Sequence, residues 1–145
     1  MKNAWGMICT AAGVAGGLIA KMLGGWDSAM ATMMIFMAID YATGLMVAGI
    51  FHASPKSESG ALESRAGLKG LIRKGSMLLF VLIAARLDMV LGVSFVRDGV
   101  IIGFLINEVV SIVENAGLMG VPMPAAVREA IELLKKREGE KNDDA

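Results

Sequence analysis

Four apolar blocks, each about as long as a helix that crosses a lipid bilayer, dominate the sequence. They cover residues 4–23, 26–51, 75–95 and 99–121, and short charged stretches separate them. A hydrocarbon core of about 30 Å needs roughly 20 helical residues, so each block is long enough to span it. Hydrophobic residues make up 55% of the chain and the mean hydropathy is +0.61, which is not the profile of a soluble domain with one core. The sequence therefore predicts an all-α integral membrane protein with four transmembrane helices.

The basic residues are distributed unevenly around these blocks. With four spans, all of the 14 Lys and Arg residues except Lys21, Arg86 and Arg97 fall on one side of the membrane. In membrane proteins the cytoplasmic loops carry the excess of basic residues. The sequence therefore predicts that both termini, the loop 52–74 and the segment 125–145 are cytoplasmic.

The first block also has the pattern of a cleaved signal peptide, because Lys2 precedes an apolar stretch. It contains no clean small-x-small cleavage site before an obvious mature start, and three further apolar blocks follow it. We therefore expect a retained first span. Met1 and Met7 flank Lys2, so a second translation start at Met7 stays open as an alternative.

Two cytoplasmic segments have the pattern of short amphipathic helices. In the loop 52–74, Arg65, Lys69 and Arg73 repeat every four residues and Lys74 follows. This stripe suits contact with anionic lipid headgroups, although a plain solvated face fits it equally well. After the fourth block, apolar residues recur at helical spacing until a charged tail begins, which we expect to be disordered.

Charged residues interrupt three of the apolar blocks. From the helical rise, Asp40, Arg86, Asp88 and Glu108 are predicted to lie within roughly 7 Å of depth near the middle of the bilayer. Each charge costs on the order of 3 kcal/mol at the centre of a lipid-exposed helix. We therefore expect these side chains to face one another or water, with Arg86 neutralised by Asp40, by Glu108 or, less suitably, by Asp88.

The fourth block carries a stripe of polar side chains. At 100° per residue they fall within an arc of about 120°, and valine and isoleucine cover the remainder of the helix. The stripe faces either a dry seam satisfied by neighbouring helices or a water-filled lumen made by several copies, with a metal or substrate site as a third alternative. Its residues are Asn107, Glu108, Ser111, Glu114 and Asn115.

Small residues four positions apart allow helices to approach closely in lipid. They predict helix packing, within the chain or between copies, at three pairs of positions. These pairs are Gly13 and Gly17, Gly44 and Ala48, and Gly99 and Gly103.

The sequence offers no recognisable catalytic or metal-binding set. It has one cysteine, Cys9, and one histidine, His52, so the usual thiolate and imidazole spacings cannot be assembled. No Ser/His/Asp set and no phosphate-binding glycine loop occur in a suitable context. We therefore expect no enzymatic activity, no metal and no cofactor, and we expect no binding to nucleic acid.

Three stretches carry more specific motifs: IDYATGLMVAGI from Ile39, SRAGLKGLIRKGSMLLFVLIAARLD from Ser64, and INEVVSIVENAGLMGVPMP from Ile106. In order and spacing they resemble the toxin-secretion/phage-lysis holin family over most of the chain, roughly from Ile39 to Leu134. The distinctive motifs are Asp-Tyr-x-Thr-Gly, and Asn-Glu followed by Ser-Ile-x-Glu-Asn. A basic pair typical of the family is Arg-Lys here instead of Lys-Lys, which is a mild departure.

The resemblance implies a small phage or prophage protein that associates with itself in the inner membrane of the host and permeabilises that membrane at a set time. An endolysin then reaches the cell wall, with no direct contact implied, and relatives beside large toxin genes are linked to toxin release. Two other classes stay open from the residues alone. Intramembrane acids with one arginine also suit a small proton-coupled transporter or ion channel subunit, and a purely structural membrane scaffold is the third possibility.

Overall fold

The computed structural model describes the backbone of residues 2–56, 59 and 63–143, and their side chains except at 2, 134, 135 and 137–143. All regular secondary structure in these residues is helical, which confirms the predicted all-α fold. The five helices are α1 Lys2–Met22, α2 Ser28–Gly49, α3 Ser64–Leu91, α4 Val96–Leu118 and α5 Ala125–Asp143.

Two glycines and an aspartate form the turn between α1 and α2. Gly24 and Gly25 have φ angles of +87° and +102°, which residues with a Cβ rarely adopt. The backbone N–H of Gly25 donates to Ala20 O at 2.9 Å and closes the end of α1. Asp27 then caps α2, because its Oδ1 accepts a hydrogen bond from Met30 N at 2.8 Å. The sequence Gly-Gly-Trp-Asp thus ends one helix and starts the next.

The turn between α3 and α4 uses similar devices. Gly92, with a φ of +67°, directly follows the end of α3. The carboxylate of Asp88 accepts hydrogen bonds from the backbone N–H groups of Val96 and Arg97, both at 3.0 Å. The first N–H groups of a helix have no acceptor within the helix, and a negative charge there complements the helix dipole. Asp88 therefore caps α4 although it belongs to α3.

The chain forms two compact units. The first consists of Met1–Ile35 and Ile72–Phe104, and the second of Phe36–Leu71 and Leu105–Ala145, so that α2, α3 and α4 each contribute to both. Methionine, valine and isoleucine fill the interior of each unit, as expected for helices packed through adaptable and branched side chains. Buried examples are Met30, Met33, Val81 and Ile101 in the first unit, and Met37, Val47, Val110 and Ile131 in the second.

The structure corrects the predicted separate helix in the loop 52–74. The basic segment forms the first turns of α3, which continues without a break from Ser64 to Leu91. No proline interrupts these 28 residues, and leucine, arginine, lysine and alanine are good helix formers. The predicted boundary at Gly75 lies inside the helix, because a single glycine costs a helix only about 1 kcal/mol. Residues 57, 58 and 60–62 of the loop lie outside the described residues.

Helix α5 also extends further than the sequence predicts. Most of the charged tail, which we expected to be disordered, is helical up to Asp143, and residues 144–145 lie outside the described part of the chain. Oppositely charged residues four positions apart, such as the exposed Glu132 and Lys136, stabilise a solvent-facing helix. These pairs allow the helix to continue beyond Ile131, which is buried.

Among the described residues, two helical stretches are long and apolar enough to cross a membrane, Asn3–Met22 and Ser28–Gly49. In the apolar window of the first, 0% of the residues are buried, against 28% in the second. Large apolar side chains such as Trp5, Ile8 and Leu18 are exposed on α1. A helix that is apolar all round belongs in a hydrophobic environment. The surface of α1 is therefore available to lipid or to another protein chain.

Candidate functional site

In the second unit, a buried group of polar side chains links α2 to α4. We call Asp40, Thr43 and Asn115 the amide cluster. Asn115 Nδ2 donates towards Asp40 O at 3.3 Å, Asp40 Oδ1 at 3.2 Å and Thr43 Oγ1 at 3.0 Å. Asp40 and Asn115 are only 8% and 5% exposed. Because the contacts run between two helices and their donor and carboxylate are buried, the amide cluster is a buried polar seam.

Helical spacing on α2 explains why the seam can form. Asp40, Thr43 and Gly44 lie within one turn, on the side that meets α4. A Cβ on Gly44 would lie 3.8 Å from Asn115 Nδ2, so the glycine leaves room for the amide. The Thr43 hydroxyl has backbone acceptors on its own helix, Ile39 O at 2.9 Å and Asp40 O at 3.1 Å. Within the described residues, no buried side-chain nitrogen or oxygen lacks a partner.

Tyr41, beside the amide cluster, packs against the beginning of α3. Its hydroxyl donates to Gly67 O at 3.5 Å. A Cβ on Gly67 would lie 3.6 Å from the Tyr41 hydroxyl oxygen, and one on Gly70 would lie 3.6 Å from Tyr41 Cε2. The two glycines therefore open the backbone of α3 to the ring. In the Asp-Tyr-x-Thr-Gly motif, the aspartate, threonine and glycine contact α4, while the tyrosine contacts α3.

The polar stripe of α4 is divided between the packed and the exposed surface of the second unit. Glu108 and Asn115, seven residues apart, are buried, and Ser111 is partly buried. Asn107 and Glu114, also seven residues apart, are exposed. Seven residues make two helical turns, so each pair shares one side of α4. One edge of the stripe is thus a seam within the chain, and the other edge faces outward.

In the first unit, Arg97 forms a second group of polar contacts. We call Arg97, Asp27 and the backbone carbonyls of Leu23 and Gly25 the arginine cluster. Arg97 Nε donates to Leu23 O at 2.6 Å, Nη2 to Gly25 O at 3.0 Å, and Nη1 to Asp27 Oδ2 at 2.5 Å. The Arg97 side chain is 7% exposed and that of Asp27 is 49% exposed. The cluster fastens the beginning of α4 to the turn between α1 and α2.

The charge of Arg97 acts on Asp27. The hydrogen bond from the guanidinium holds the pKa of the Asp27 carboxyl below its usual value of 3.8, and the bond from Met30 N lowers the pKa further. Partial burial opposes both effects. Asp98 Oδ1 lies 3.5 Å from Arg97 Nη1, which is a weaker second ion pair. Asp27 therefore stays ionised while it caps α2 and pairs with α4.

The arginine cluster was not predicted from the sequence. The charge distribution placed Arg97 on the side with few basic residues and gave it no partner. The available signal was the turn Gly-Gly-Trp-Asp, whose aspartate is suited to cap a helix, on the same predicted side as this one arginine. A Cβ on Gly24 would lie 2.6 Å from Arg97 Cδ. Gly24 thus supplies the space for the arginine as well as the positive φ.

The structure gives the predicted mid-bilayer charges different surroundings. Asp40 joins the amide cluster and Glu108 is buried in the second unit. Arg86 is exposed, and its described hydrogen bond is to Met89 Sδ of the same helix at 3.4 Å. Asp88 lies in the last turn of α3, not at the centre of the predicted span, and its carboxylate caps α4. The role of these residues in lining a pore stays a prediction.

The predicted headgroup-contacting and helix-packing residues also divide into groups. Arg65, Lys69 and Arg73 are exposed, whereas Lys74 is buried. Of the small-residue pairs, Gly44 and Ala48 pack within the second unit, since Gly44 adjoins Asn115 and Ala48 is buried. The glycines of the other two pairs adjoin open space, because a Cβ added to any of them would meet no atom within 4 Å: Gly13, Gly17, Gly99 and Gly103. Their packing against other chains stays a prediction.

No group of three or more His, Cys, Asp or Glu side chains in the described residues could hold a metal ion. Both clusters instead consist of hydrogen bonds that tie helices together. Their geometry supports a structural role: each fixes the position of α4 relative to other helical segments of its own unit.

Comparison with known proteins identifies the family. The sequence profile of the bacteriophage holin family matches residues 17–136. An uncharacterized protein of Halalkalibacterium halodurans is 33% identical over 130 residues, which cover 86% of this chain and 90% of that protein. An uncharacterized protein of Clostridium perfringens is 33% identical over 135 residues, covering 90% and 94%.

A more distant relative carries a functional name. The protein named "Probable holin" of Bacillus phage phi105 is 27% identical over 112 residues, which cover 77% of each chain. No solved structure matches the chain. The family profile covers most of the sequence. The matched residues include the apolar helix α2 and all residues of both polar clusters. The chain is therefore a membrane protein that belongs to the bacteriophage holin family.

Proposed function

We propose that this protein is a holin that assembles with copies of itself in the cytoplasmic membrane of a bacterial host and permeabilises it at a set time. The membership in the bacteriophage holin family carries this proposal, and the likeness to the phage phi105 protein supports it. Permeabilisation gives an endolysin access to the cell wall without direct contact between the two proteins. Release of a large protein toxin through the permeabilised membrane is a second function that we propose.

The exposed apolar surface of α1 supports membrane insertion and self-association. Side chains from Asn3 to Ile19 are all exposed, and open space surrounds Gly13 and Gly17. In lipid, helices associate through small residues that let their backbones approach. In the four-span arrangement that we propose, α1 contributes the surface through which copies meet.

The divided stripe on α4 supports a change between a closed and an open state. We assign the arrangement in which Glu108 and Asn115 are buried in the second unit to the closed state. Asn107 and Glu114 lie on the outward edge of the same helix, where neighbouring copies or water can reach them. We propose that assembly at high density brings these outward edges together around a hydrated opening. Polar side chains then exchange contacts with protein for contacts with water.

The membrane potential is the trigger that we propose for this exchange. A charge that crosses the full membrane field changes its free energy by about 2.3 kcal/mol per 100 mV. A carboxylate on α4 that shifts by part of that distance feels a corresponding fraction. Collapse of the potential therefore favours whichever state the resting field opposes.

The test is timed lysis of bacterial cells that co-express the protein and a cytoplasmic muralytic enzyme. Growth should continue while the protein accumulates and then stop abruptly, with loss of membrane potential and release of the enzyme. Glu114→Gln should shift the time of lysis because it removes a charge from the outward edge of α4. Glu132→Gln is the matched control, because it makes the same chemical change at an exposed position of α5.

Two results would contradict parts of the proposal. Cells that keep growing and retain the enzyme, although the inserted protein is abundant, would rule out the holin function and favour a transporter or channel subunit. Lysis of the Glu114→Gln cells at the normal time, at equal protein abundance, would show that the outward edge of the stripe does not set the timing.

A further inference from the structure

The first turns of α3 expose a basic sector beside an apolar sector. Arg65 and Lys69 are exposed at a spacing of four residues, and Arg73 continues the series along the same helix. Leu68 and Leu71 are 58% and 56% exposed. At 100° per residue, the cations cover an arc of about 80°, and the two leucines lie within roughly the adjacent 120°. We call Arg65, Leu68, Lys69, Leu71 and Arg73 the basic-apolar face.

The opposite side of the same turns is packed against the protein. Gly67 and Gly70 lie against the ring of Tyr41, which holds this part of α3 in the second unit. The contact fixes which side of the helix points outward. Packing within the second unit therefore sets the exposure of the face from Arg65 to Leu71, and Arg73 follows on the same continuous helix.

The length of α3 indicates where this face lies in a membrane. Its 28 residues make a helix of roughly 42 Å, longer than the hydrocarbon core of about 30 Å. In the four-span arrangement that we propose, α3 crosses the bilayer, and a helix of this length then leaves one end in the headgroup region. The basic end is suited to that region, because arginine and lysine place their charged groups among the headgroups while their methylene chains lie along apolar surface.

We propose that the basic-apolar face binds anionic phospholipid: the three cations bind headgroup phosphates, and the two leucines contact the upper part of the acyl chains. Charge complementarity selects this partner, since the face presents cations and apolar side chains side by side. The carboxylate of Glu63 just ahead of α3 already accepts a hydrogen bond from the Ser59 hydroxyl at 2.9 Å. This inference rests on the membrane location in the proposed function and is independent of lysis.

The test uses the full-length protein reconstituted in bilayers of phosphatidylcholine that contain spin-labelled phosphatidylglycerol or spin-labelled phosphatidylcholine. The ratio of the two motionally restricted fractions measures selectivity for the anionic lipid. We expect a ratio of at least about 2 for the unmodified protein, falling in high salt. The triple variant Arg65→Gln, Lys69→Gln and Arg73→Gln should bring the ratio close to about 1.

Two further variants separate binding from folding and from net charge. Arg65→Lys with Arg73→Lys keeps the charges and should keep the selectivity. Lys56→Gln, Arg128→Gln and Lys136→Gln together remove three exposed cations elsewhere and should leave the ratio within about a fifth of its original value. An unchanged ratio in the first triple variant, or an equal loss in the second, would overturn the proposal. The proposal would also be overturned if the first triple variant kept its lipid selectivity but lost the binding of an added acidic peptide, measured in phosphatidylcholine bilayers. The face would then be a protein-docking surface.

Discussion

The arginine cluster joins helix ends through a charged group, whereas the amide cluster joins helix interiors through a neutral one. Arg97 donates to the carbonyls of Leu23 and Gly25, which both lie just beyond the end of α1. Asn115 donates to a carboxylate, a hydroxyl and a backbone carbonyl along α2. The two clusters therefore use different donors because they meet different acceptors.

The difference follows from which backbone groups are available. The last carbonyls of a helix have no intrahelical donor and form the negative end of its dipole, so a guanidinium is favoured there. Inside a helix the carbonyls are already bonded, so that a second helix is linked mainly through side chains. A neutral amide makes such a link without bringing an additional charge into the protein interior, where an unpaired charge costs several kcal/mol.

The largest effect in this comparison is expected from Arg97→Ala. It removes the donor for Leu23 O and Gly25 O, and an unpaired carbonyl kept from water costs about 1 to 3 kcal/mol. Asp27 is half-exposed and can be rehydrated, so we expect a total destabilisation of about 2 to 4 kcal/mol. Unfolding of the purified protein in mild detergent, followed by far-ultraviolet circular dichroism, measures this change.

Arg86→Ala is the matched control, since it removes an exposed arginine whose described hydrogen bond is to a sulfur atom. It should cost less than about 1 kcal/mol. Equal effects of the two substitutions would show that the arginine cluster contributes no specific stability.

The glycines of the α1–α2 turn separate backbone strain from contact with Arg97. Both have a positive φ, so alanine at either position costs on the order of 1 to 2 kcal/mol in strain. A Cβ on Gly24 also meets Arg97 Cδ at 2.6 Å, whereas a Cβ on Gly25 meets no atom within 4 Å. Gly24→Ala should therefore lower stability by roughly 1 kcal/mol more than Gly25→Ala.

The same unfolding experiment checks this pair. If both glycine variants lose equal stability, the arginine does not need the space that Gly24 provides. In the Arg97→Ala background the difference between the two glycine variants should shrink, because the two closest atoms are absent and Ala85 Cβ, 3.3 Å from a Cβ on Gly24, remains.

The amide cluster was accessible from the sequence in a way that the arginine cluster was not. Asp40 and Asn115 interrupt apolar blocks, so each was predicted to face polar groups or water, although the sequence did not pair them with each other. The residues of the arginine cluster lie at helix ends. Polar residues are common there, so these residues were not distinctive in the sequence. Two of its acceptors are backbone carbonyls, which leave no mark in the sequence.

The extent of the helices shows a similar limit. Apolar blocks predicted where helices lie, but hydropathy could not show that the polar segment from Ser64 belongs to the same helix as the apolar segment after Gly75. The packing of Tyr41 against Gly67 and Gly70 is a tertiary contact, and no local pattern specifies it. Equally, the division of the α4 stripe into a buried and an exposed edge depends on which helix packs beside it.

A smaller effect is expected from Asn115→Leu. Hydrogen bonds between helices in membrane proteins contribute on average about 0.6 kcal/mol and at most about 1.7, so we expect a loss of roughly 1 kcal/mol. Asn107→Leu is the matched control, because it makes the same change at an exposed position of the same helix and should have almost no effect. A double-mutant cycle with Asp40→Ala measures the coupling directly, and additive effects would mean that the described hydrogen bond contributes nothing.

The smallest effect concerns the dependence of the arginine cluster on pH. Because Arg97 lowers the pKa of the Asp27 carboxyl below 3.8, the ion pair stabilises the fold fully above that value. The stabilisation is lost as pH falls through the lowered pKa, where the folded protein must take up a proton.

The difference in stability between the unmodified protein and Asp27→Asn should thus be constant from pH 7 to about 5 and shrink below about pH 4. It should not exceed about 1 kcal/mol, since solvent screens the half-exposed carboxylate. Asp98→Asn, at the longer distance of 3.5 Å, should give a smaller difference. A difference for Asp27→Asn that stays constant down to pH 2 would mean that it does not come from ionisation of the carboxylate, and that Arg97 holds α4 through the two carbonyls alone.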